Sequence, residues 1–528
     1  MKLFETLGKR KDIVGAVIGN RIYGLQEEVP PCKDIKFINL KSKEGERIYE
    51  KSLVFLLAMA TRDVFPEARV VVEHSISEVL FVTLRLDRPL DKRDVKRIEK
   101  RMKELVKKNL FIKKKELSKS EAIKRLRKNG NISKLKLIET LEKDKYTFYS
   151  AGDFEDWFPG PLVPFTSYLE QFSLKHYPPG FIMRYPVARS YPSYPRLVEL
   201  PKLFLIFHEH DRWGEILGFH TLGRLNEMIE KKEPEDIVNV SEALHEKKIA
   251  MIADEITHRI LPPKIVLIAG PSASGKTTFS KRLSIHLRVN GFKPYTISID
   301  DYFLEREKTP RDEHGNYDFE SIHAVDIEFF NNHLLALLDG KEIEVPKFNF
   351  KEGRRMRSGR KIRLGERGIL LIEGIHGLNE QLTPRVPKHL KFKIYVSALT
   401  QLNIHDHYRI STSDTRLIRR IIRDNLYRGN LPEDTIRMWD NVRRGEEKNI
   451  FPFQEEADVM FNSALTYEQA VLKKFAVPLL KSIPRKHPSY AKASELLEFL
   501  SLFKEIPPEL VPKNSIIREF IGGSCFKY

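Results

Sequence analysis

Cysteine is almost missing: Cys32 and Cys525 are the only two in 528 residues. Thiols so few and so far apart make neither a disulfide framework nor a cysteine-based metal site, and a reducing compartment is the expected setting. Long apolar runs are missing too. No stretch approaches the ~20 residues that span a bilayer, and the opening MKLFETLGKRKD has no apolar signal core. Cytoplasm is therefore the expected location, with no membrane partner. Internal repeats and low-complexity linkers are absent as well. Charge is what the chain has in plenty: 31% of residues, Lys and Arg outnumbering Asp and Glu by 91 to 73, for a net +18. Hydrophobic residues still reach 41%, enough to form cores in about three domains of roughly 150 residues each.

The positive charge is unevenly placed. Residues 91–130 hold 17 Lys/Arg against 6 Asp/Glu. Such a block is either an RNA-facing surface or the solvated side of an amphipathic helix. Val95, Ile98, Met102, Leu105 and Val106 recur at helical spacing, and no aromatics interleave the charges to stack bases. The helix is the simpler reading, and weak, salt-sensitive RNA binding through this half remains compatible with it. Residues 1–45 read as short strands and turns, 48–65 as an apolar helix, 68–73 and 79–86 as strands, and 120–128 as a helix capped by Ser120. Residues 140–225, rich in aromatics, prolines and glycines, read as irregular α+β structure. Ser241 is expected to cap a helix with Ile249, Ile252, Ala253, Ile256 and Ile260 on one face, broken at Pro262 and Pro263. His208-Glu209-His210-Asp211 and His405-Asp406-His407 could suggest a metal, but an exposed edge followed by a turn is the plainer expectation. The five prolines after Lys481 mark a packed extension in which no chemistry is read.

From Ile265 strands alternate with helices, the pattern of a parallel sheet covered on both faces. An apolar strand at 265–269 runs into Gly270-Pro271-Ser272-Ala273-Ser274-Gly275-Lys276-Thr277, and a helix at 278–287 follows. This is the phosphate-loop pattern G-x-x-x-x-G-K-[ST] in its proper context. The glycines let the backbone curl around phosphates, while successive N–H groups and the helix N-terminus attract an anion. The expected ATP-binding set is Gly270, Ser272, Ala273, Ser274, Gly275, Lys276, Thr277 and Thr278. Lys276 would reach the β/γ-phosphates and Thr277 would ligate Mg²⁺.

Three more segments argue for a kinase rather than an ATPase. TISIDDYF at 296–303 reads as a short strand ending in Asp300 and Asp301, where one carboxylate can orient and deprotonate an acceptor hydroxyl. GILLIEG at 368–374 reads as a buried strand ending in Glu373, an acid beside the metal. Arg416, Arg419, Arg420 and Arg423, followed by Arg428, share one helical stretch and can clamp a triphosphate.

On GPSASGKTT, SIDDYF, LLIEGIHG and DTRLIRRIIRD, residues 263–465 resemble the uridine kinase and phosphoribulokinase family of P-loop kinases. The resemblance implies a five-stranded parallel core with a mobile lid. It also implies ATP with Mg²⁺, and transfer of the γ-phosphate to a small-molecule hydroxyl, uridine or cytidine first. In that family's terms Asp300 is the general base with Asp301 secondary, Lys276, Arg419 and Arg423 are catalytic, and Thr277 with Glu373 holds the metal. Arg416 touches the nucleoside sugar, Glu320 stands for an aspartate that holds the ribose hydroxyls, and Tyr302 and Phe348 complete the acceptor site. Gly353, however, stands where the family reads the base with a histidine. A site without that polar partner discriminates less. A sugar phosphate or a pantothenate-like acceptor is therefore one alternative, and an RNA-binding nucleotide switch another.

Tyr49-Glu-Lys-Ser-Leu-Val-Phe-Leu-Leu-Ala-Met-Ala, residues 95–105 and GPLVPFT at 160–166 resemble the second additional, editing-type domain of threonyl-tRNA synthetase. Lys51, Phe55, Phe158 and Leu162 occupy that domain's metal and catalytic positions. Phe and Leu cannot ligate a metal or move a proton, so the fold is expected without its editing chemistry. The expected division is a shortened TGS-like module at 1–45, the synthetase-like domain at 46–225, a helical connector at 226–262, the kinase at 263–475 and the extension at 476–528. The expected class is thus an α/β kinase with helices on both faces of a parallel sheet, preceded by an α+β domain. A homo-oligomer is compatible with all of this.

Overall fold

Every residue of the strand Ile265–Ala269 is buried, yet its first four side chains alternate between two different cores, as the period of two requires. Ile265 and Leu267 join Phe330, Leu334 and Leu337 of the helix Ile327–Leu338. Val266 and Ile268 join Ile249, Ile252 and Ile256 of the helix Pro234–Thr257, and Phe279 and Leu283 of the helix Lys276–Val289. The sheet is thus covered on both faces. The structure, a computed structural model, describes residues 3–6, 10–19, 21–29, 35–76, 78–311, 315, 317–349, 352–400 and 402–527. Cys32 lies outside these; Cys525 is exposed and free.

Five parallel strands make this sheet, in the order Lys293–Ser298, Gly368–Glu373, Ile265–Ala269, Lys391–Ser397 and Val459–Asn462. Register fixes the site. Ile268 and Ser298 both pair with Glu373. The phosphate loop, the turn after Ser298 and the acid at 373 therefore leave the sheet at one carboxyl edge, where open parallel sheets bind ligands. Asp300 and Asp301 lie one step past the expected strand: it ends at Ser298, and a 3₁₀ turn, Ile299–Tyr302, carries both acids.

The front half is antiparallel. One sheet runs Arg21–Gly24, Ile13–Ile18, Lys36–Asn39; a second runs Arg69–Ile76, Val79–Arg85, Gly180–Arg184, Ser173–Tyr177; a third runs Lys113–Ser118, Lys145–Ala151, Phe154–Trp157. The basic helix forms as expected, over Lys92–Lys107 with its five apolar residues buried. Two caps move. Ser118, not Ser120, caps the helix Lys119–Lys128, because Glu121 three residues on closes a capping box with it. Ser241 is interior: the helix begins at Pro234, with Glu235 and Asp236 in its first turn, and Ile260 lies beyond its end, fully exposed. His208–Asp211 is no strand edge but part of the helix Pro201–Leu217. Among the described residues no group of three His, Cys, Asp or Glu could hold a metal, and no helix is long and apolar enough to cross a membrane.

His405-Asp406-His407 is also not an exposed turn. It belongs to a small hairpin, Asn403–His405 with Tyr408–Arg409, driven into the front half. The Asp406 carbonyl accepts from Val72 N at 2.8 Å, the Asn403 amide donates to Val72 O at 2.9 Å, and Arg69 pairs with the Asp406 carboxylate at 3.1 Å. Beneath the hairpin, fully buried Lys134 donates to Asp156 at 2.6 Å and to Trp157 O at 2.9 Å, and lies 3.0 Å from His407 Nδ1. Burial pushes the Lys134 ammonium down, and Asp156 opposes that. Removing one member of such a pair strands a buried charge. Lys134→Met is therefore expected to cost about 3–5 kcal/mol, read by denaturant unfolding, and Lys134→Met with Asp156→Leu should recover much of it. A cost within error for the single variant would contradict this.

Candidate active site

The phosphate loop is shaped by what cannot fit. A Cβ on Gly270 would stand 1.9 Å from the Val396 carbonyl. Gly275 turns the chain at φ +80°, and Ala273 does so at φ +57°, a strained conformation for a residue with a side chain. Lys276 opens the following helix, and its ammonium folds back onto the carbonyls of Gly270 (2.8 Å) and Pro271 (3.0 Å). Burial lowers its pKa, and the charges of Glu373, Glu519 and Asp300 counter the shift.

Two carboxylates of the chain itself engage loop donors. Ser272 N–H donates to Glu446 at 2.9 Å. Thr278 donates its N–H (3.2 Å) and its hydroxyl (2.6 Å) to one oxygen of Glu519. The extension after Lys481, read from sequence as free of chemistry, thus places a carboxylate on the loop. Neither glutamate has a local motif, and 174 and 241 residues separate them from their partners; only the folded chain brings them there.

The arginine helix forms over Thr412–Arg428. Arg416 is buried, forms a two-point pair with Glu446 (2.7 Å for its second bond), and donates to Ser272 O at 3.1 Å. Arg419, also buried, pairs with Glu468 and donates to Ser463 O at 2.9 Å and Ala273 O at 3.4 Å. Both brace the loop from behind. Arg420 reaches Ser272 Oγ at 2.8 Å. Arg420, Arg423 and Arg428 gather around buried Asp424.

Past the strand Lys293–Ser298, Asp300 opens on solvent. The crowded cleft raises its pKa by desolvation, Asp301 adds to this, and Lys276 opposes it; water at the open side moderates the effect. Asp301 is structurally engaged, accepting from Phe348 N at 3.2 Å and pairing with Lys347 at 3.3 Å. Tyr302 is fully buried with its hydroxyl 3.1 Å from His333, and Phe348 packs edge-on against Phe303, 5.8 Å away, in the same core. Gly353 turns the neighbouring hairpin at φ +69°, against Arg306. Glu373 is pushed up to about 7 by burial, against the pull of Lys276, and its Oε2 is buried without a hydrogen-bond partner. Glu320 is likewise pushed up to about 7, by burial and then by Glu446, with Arg420 opposing. In the front half Phe55 and Leu162 are core residues, Phe158 stacks on His407 at 5.7 Å, and Lys51 lies 5.1 Å over the Tyr408 ring.

A five-stranded parallel sheet whose middle strand feeds a phosphate loop, and whose neighbour on one side ends in Glu373, fits the fold of a P-loop kinase. Residues 265–469 match the model of the phosphoribulokinase / uridine kinase family. Among solved structures, a chain described as a possible uridine kinase from Bacillus stearothermophilus is 20% identical, covering 41% of this chain and 98% of that one at a TM-score of 0.26. The front half is similar to threonine–tRNA ligases. That of Citrifermentans bemidjiense is 35% identical over 162 residues, 31% of this chain and 25% of the ligase. That of Clostridioides difficile is 29% identical over 169 residues, 32% of this chain and 26% of the ligase. The chain spans about a quarter of the length of these ligases.

Two outcomes are expected from this geometry. Arg419→Met leaves Glu468 buried without its cation and should lose about 3–5 kcal/mol in unfolding experiments, whereas Arg423→Ala should lose under about 1 kcal/mol, since Arg420 and Arg428 still face Asp424. Equal losses would contradict the division between arginines with a sole buried partner and those that share Asp424. Folded Glu320 keeps its proton to about 7, whereas the unfolded side chain loses it near 4.5. Its contribution is full below 4.5 and declines as pH rises to 7. Glu320→Gln should remove that decline, so that the Tm difference in favour of the variant opens between pH 4.5 and 7. A pH-independent difference would count against the buried carboxyl.

Proposed function

We propose that the chain transfers the γ-phosphate of ATP to a hydroxyl of a small molecule, with a pyrimidine nucleoside, uridine or cytidine, as the acceptor to test first. One observation carries the reading: a phosphate loop, a solvent-open Asp300 and a partnerless Glu373 oxygen share the carboxyl edge of one parallel sheet. The loop N–H groups and Lys276 would bind the phosphates. Asp300 would take the proton of the acceptor hydroxyl as its oxygen bonds to the γ-phosphorus and the bond to ADP breaks. Arg420, Arg423 and Arg428 supply positive charge, while Arg416 and Arg419 act through the loop they brace. Thr277 and Glu373 fit Mg²⁺, since both present oxygens and one Glu373 oxygen has no other partner. Bound there, the ion would neutralise charge on the phosphates.

The nucleoside rests on the family resemblance and on Glu320 lying within electrostatic reach of both Asp300 and Lys276. A second reading, a phosphorylated or otherwise non-aromatic acceptor, is supported by Tyr302 and Phe348, both packed into the core. The front half serves in either case as a scaffold, and weak RNA binding through its basic helix is compatible with both.

A γ-phosphate transfer screen over nucleosides, sugar phosphates and sugar alcohols separates the two. Lys276→Ala should abolish transfer with the fold kept; wild-type turnover by that variant would overturn the site. Asp300→Asn should lower kcat by about 10²–10⁴-fold with ATP binding near normal. Asp301→Asn should lower kcat less, since its carboxylate holds the Lys347–Phe348 strand. The reverse order would exchange the two roles.

A further inference from the structure

Both donors of Thr278, its N–H and its hydroxyl, end on the same oxygen of Glu519. Thr278 lies in the first turn of the helix Lys276–Val289, where free N–H groups and the helix dipole favour an anion. A carboxylate on those donors stands where the phosphate-loop assignment puts a nucleotide phosphate. Two anions cannot share them: like charges at hydrogen-bond range repel, and the donors are consumed. The same segment touches the loop, its following helix and one of its braces at further points. Ile516 presses on Gly275, its Cγ2 only 2.6 Å from where a Cβ would be. Phe520 lies under the Arg419 guanidinium at 5.0 Å. Lys281 donates to Lys527 O at 2.6 Å. Upstream, Arg518 is anchored away from the loop by the carbonyls of Pro508 (2.8 Å) and Val511 (2.6 Å). Downstream, Gly522 and Gly523 both have positive φ, 84° and 71°, a point where the backbone reorients freely. Lys276 meanwhile is turned back onto carbonyls of its own loop.

We propose that residues 515–527 are a built-in competitor of the nucleotide: Glu519 holds the phosphate donors of Thr278, and ATP binds by exchanging a phosphate for that carboxylate and lifting the segment from the loop. The proposal rests on the kinase reading and adds an autoinhibitory contact to it. Removing the carboxylate removes a charge-assisted pair of hydrogen bonds that ATP would otherwise displace.

The test uses the full chain and ATP itself. ATP affinity is titrated for the wild type, Glu519→Ala, and Phe520→Ala, which loosens the segment without touching the loop donors. Both variants should bind ATP about tenfold or more tightly than the wild type. In the wild type, saturating ATP should raise amide hydrogen exchange across 515–522 while protecting 270–278. Equal or weaker binding by the folded variants, or a segment that stays equally protected with ATP bound, overturns the proposal and leaves the kinase reading intact. Failure of every form to bind ATP sinks both. The exchange arm uses the unaltered protein, so it decides the question even if Glu519→Ala does not fold.

Discussion

Two buried ion pairs, Arg416 with Glu446 and Arg419 with Glu468, hold the phosphate loop from behind, and the rest of the site takes its position from them. Arg416 also donates to the Ser272 carbonyl, and Arg419 to the carbonyls of Ala273 and Ser463, so charge, geometry and backbone path are fixed together. Buried pairs of this kind add little net stability compared with apolar packing, yet they are costly to break. They therefore act as a specification of where the loop sits. Both arginines ride on the helix Thr412–Arg428, whose start is pinned in turn: Asp414 pairs with Lys492 at 2.6 Å and with Arg47 at 3.6 Å. The loop thus depends on contacts with residues on either side of it in the chain.

How much of this could be read in advance follows from how local each signal is. The strands Ile265–Ala269 and Gly368–Glu373 were legible because a short, wholly apolar run ended by Gly or Glu has few other uses, and the phosphate loop because its glycines are dictated by sterics. The basic helix was legible from five apolar residues at its spacing. Caps were less so: Ser118 and Ser120 are both plausible, and only Glu121 at the right distance from one of them decides. The Asp300–Asp301 turn reads as the end of a strand because a 3₁₀ turn of four residues leaves no period. Core packing of Tyr302 and Phe348 has the same origin, since a motif names residues but not the direction in which they face. Glu446 and Glu519 were invisible, because a solitary glutamate carries no pattern.

The front half keeps a fold related to part of a synthetase while its inner positions hold packing residues. Phe55 and Leu162 fill a core, and Phe158 and Lys51 lie against the hairpin of residues 403–409. That hairpin leads within a few residues into the arginine helix. One hydrophobic cluster, running from Leu117 through Leu417 to Ile521, crosses both halves. A perturbation of the synthetase-like surface therefore has a packed route to the loop.

The contact between Thr278 and Glu519 also orders events in time. Translation delivers the loop 241 residues before the carboxylate that binds it. At 5–20 residues per second that gap is roughly 10–50 s. During that interval the nascent sheet can close and the loop can form with its helix end bare, open to any cellular anion, before its own segment leaves the ribosome. Under the competition proposed above, ATP arriving then would meet no rival, so the first nucleotide bound would precede the completed fold and act as a template for it.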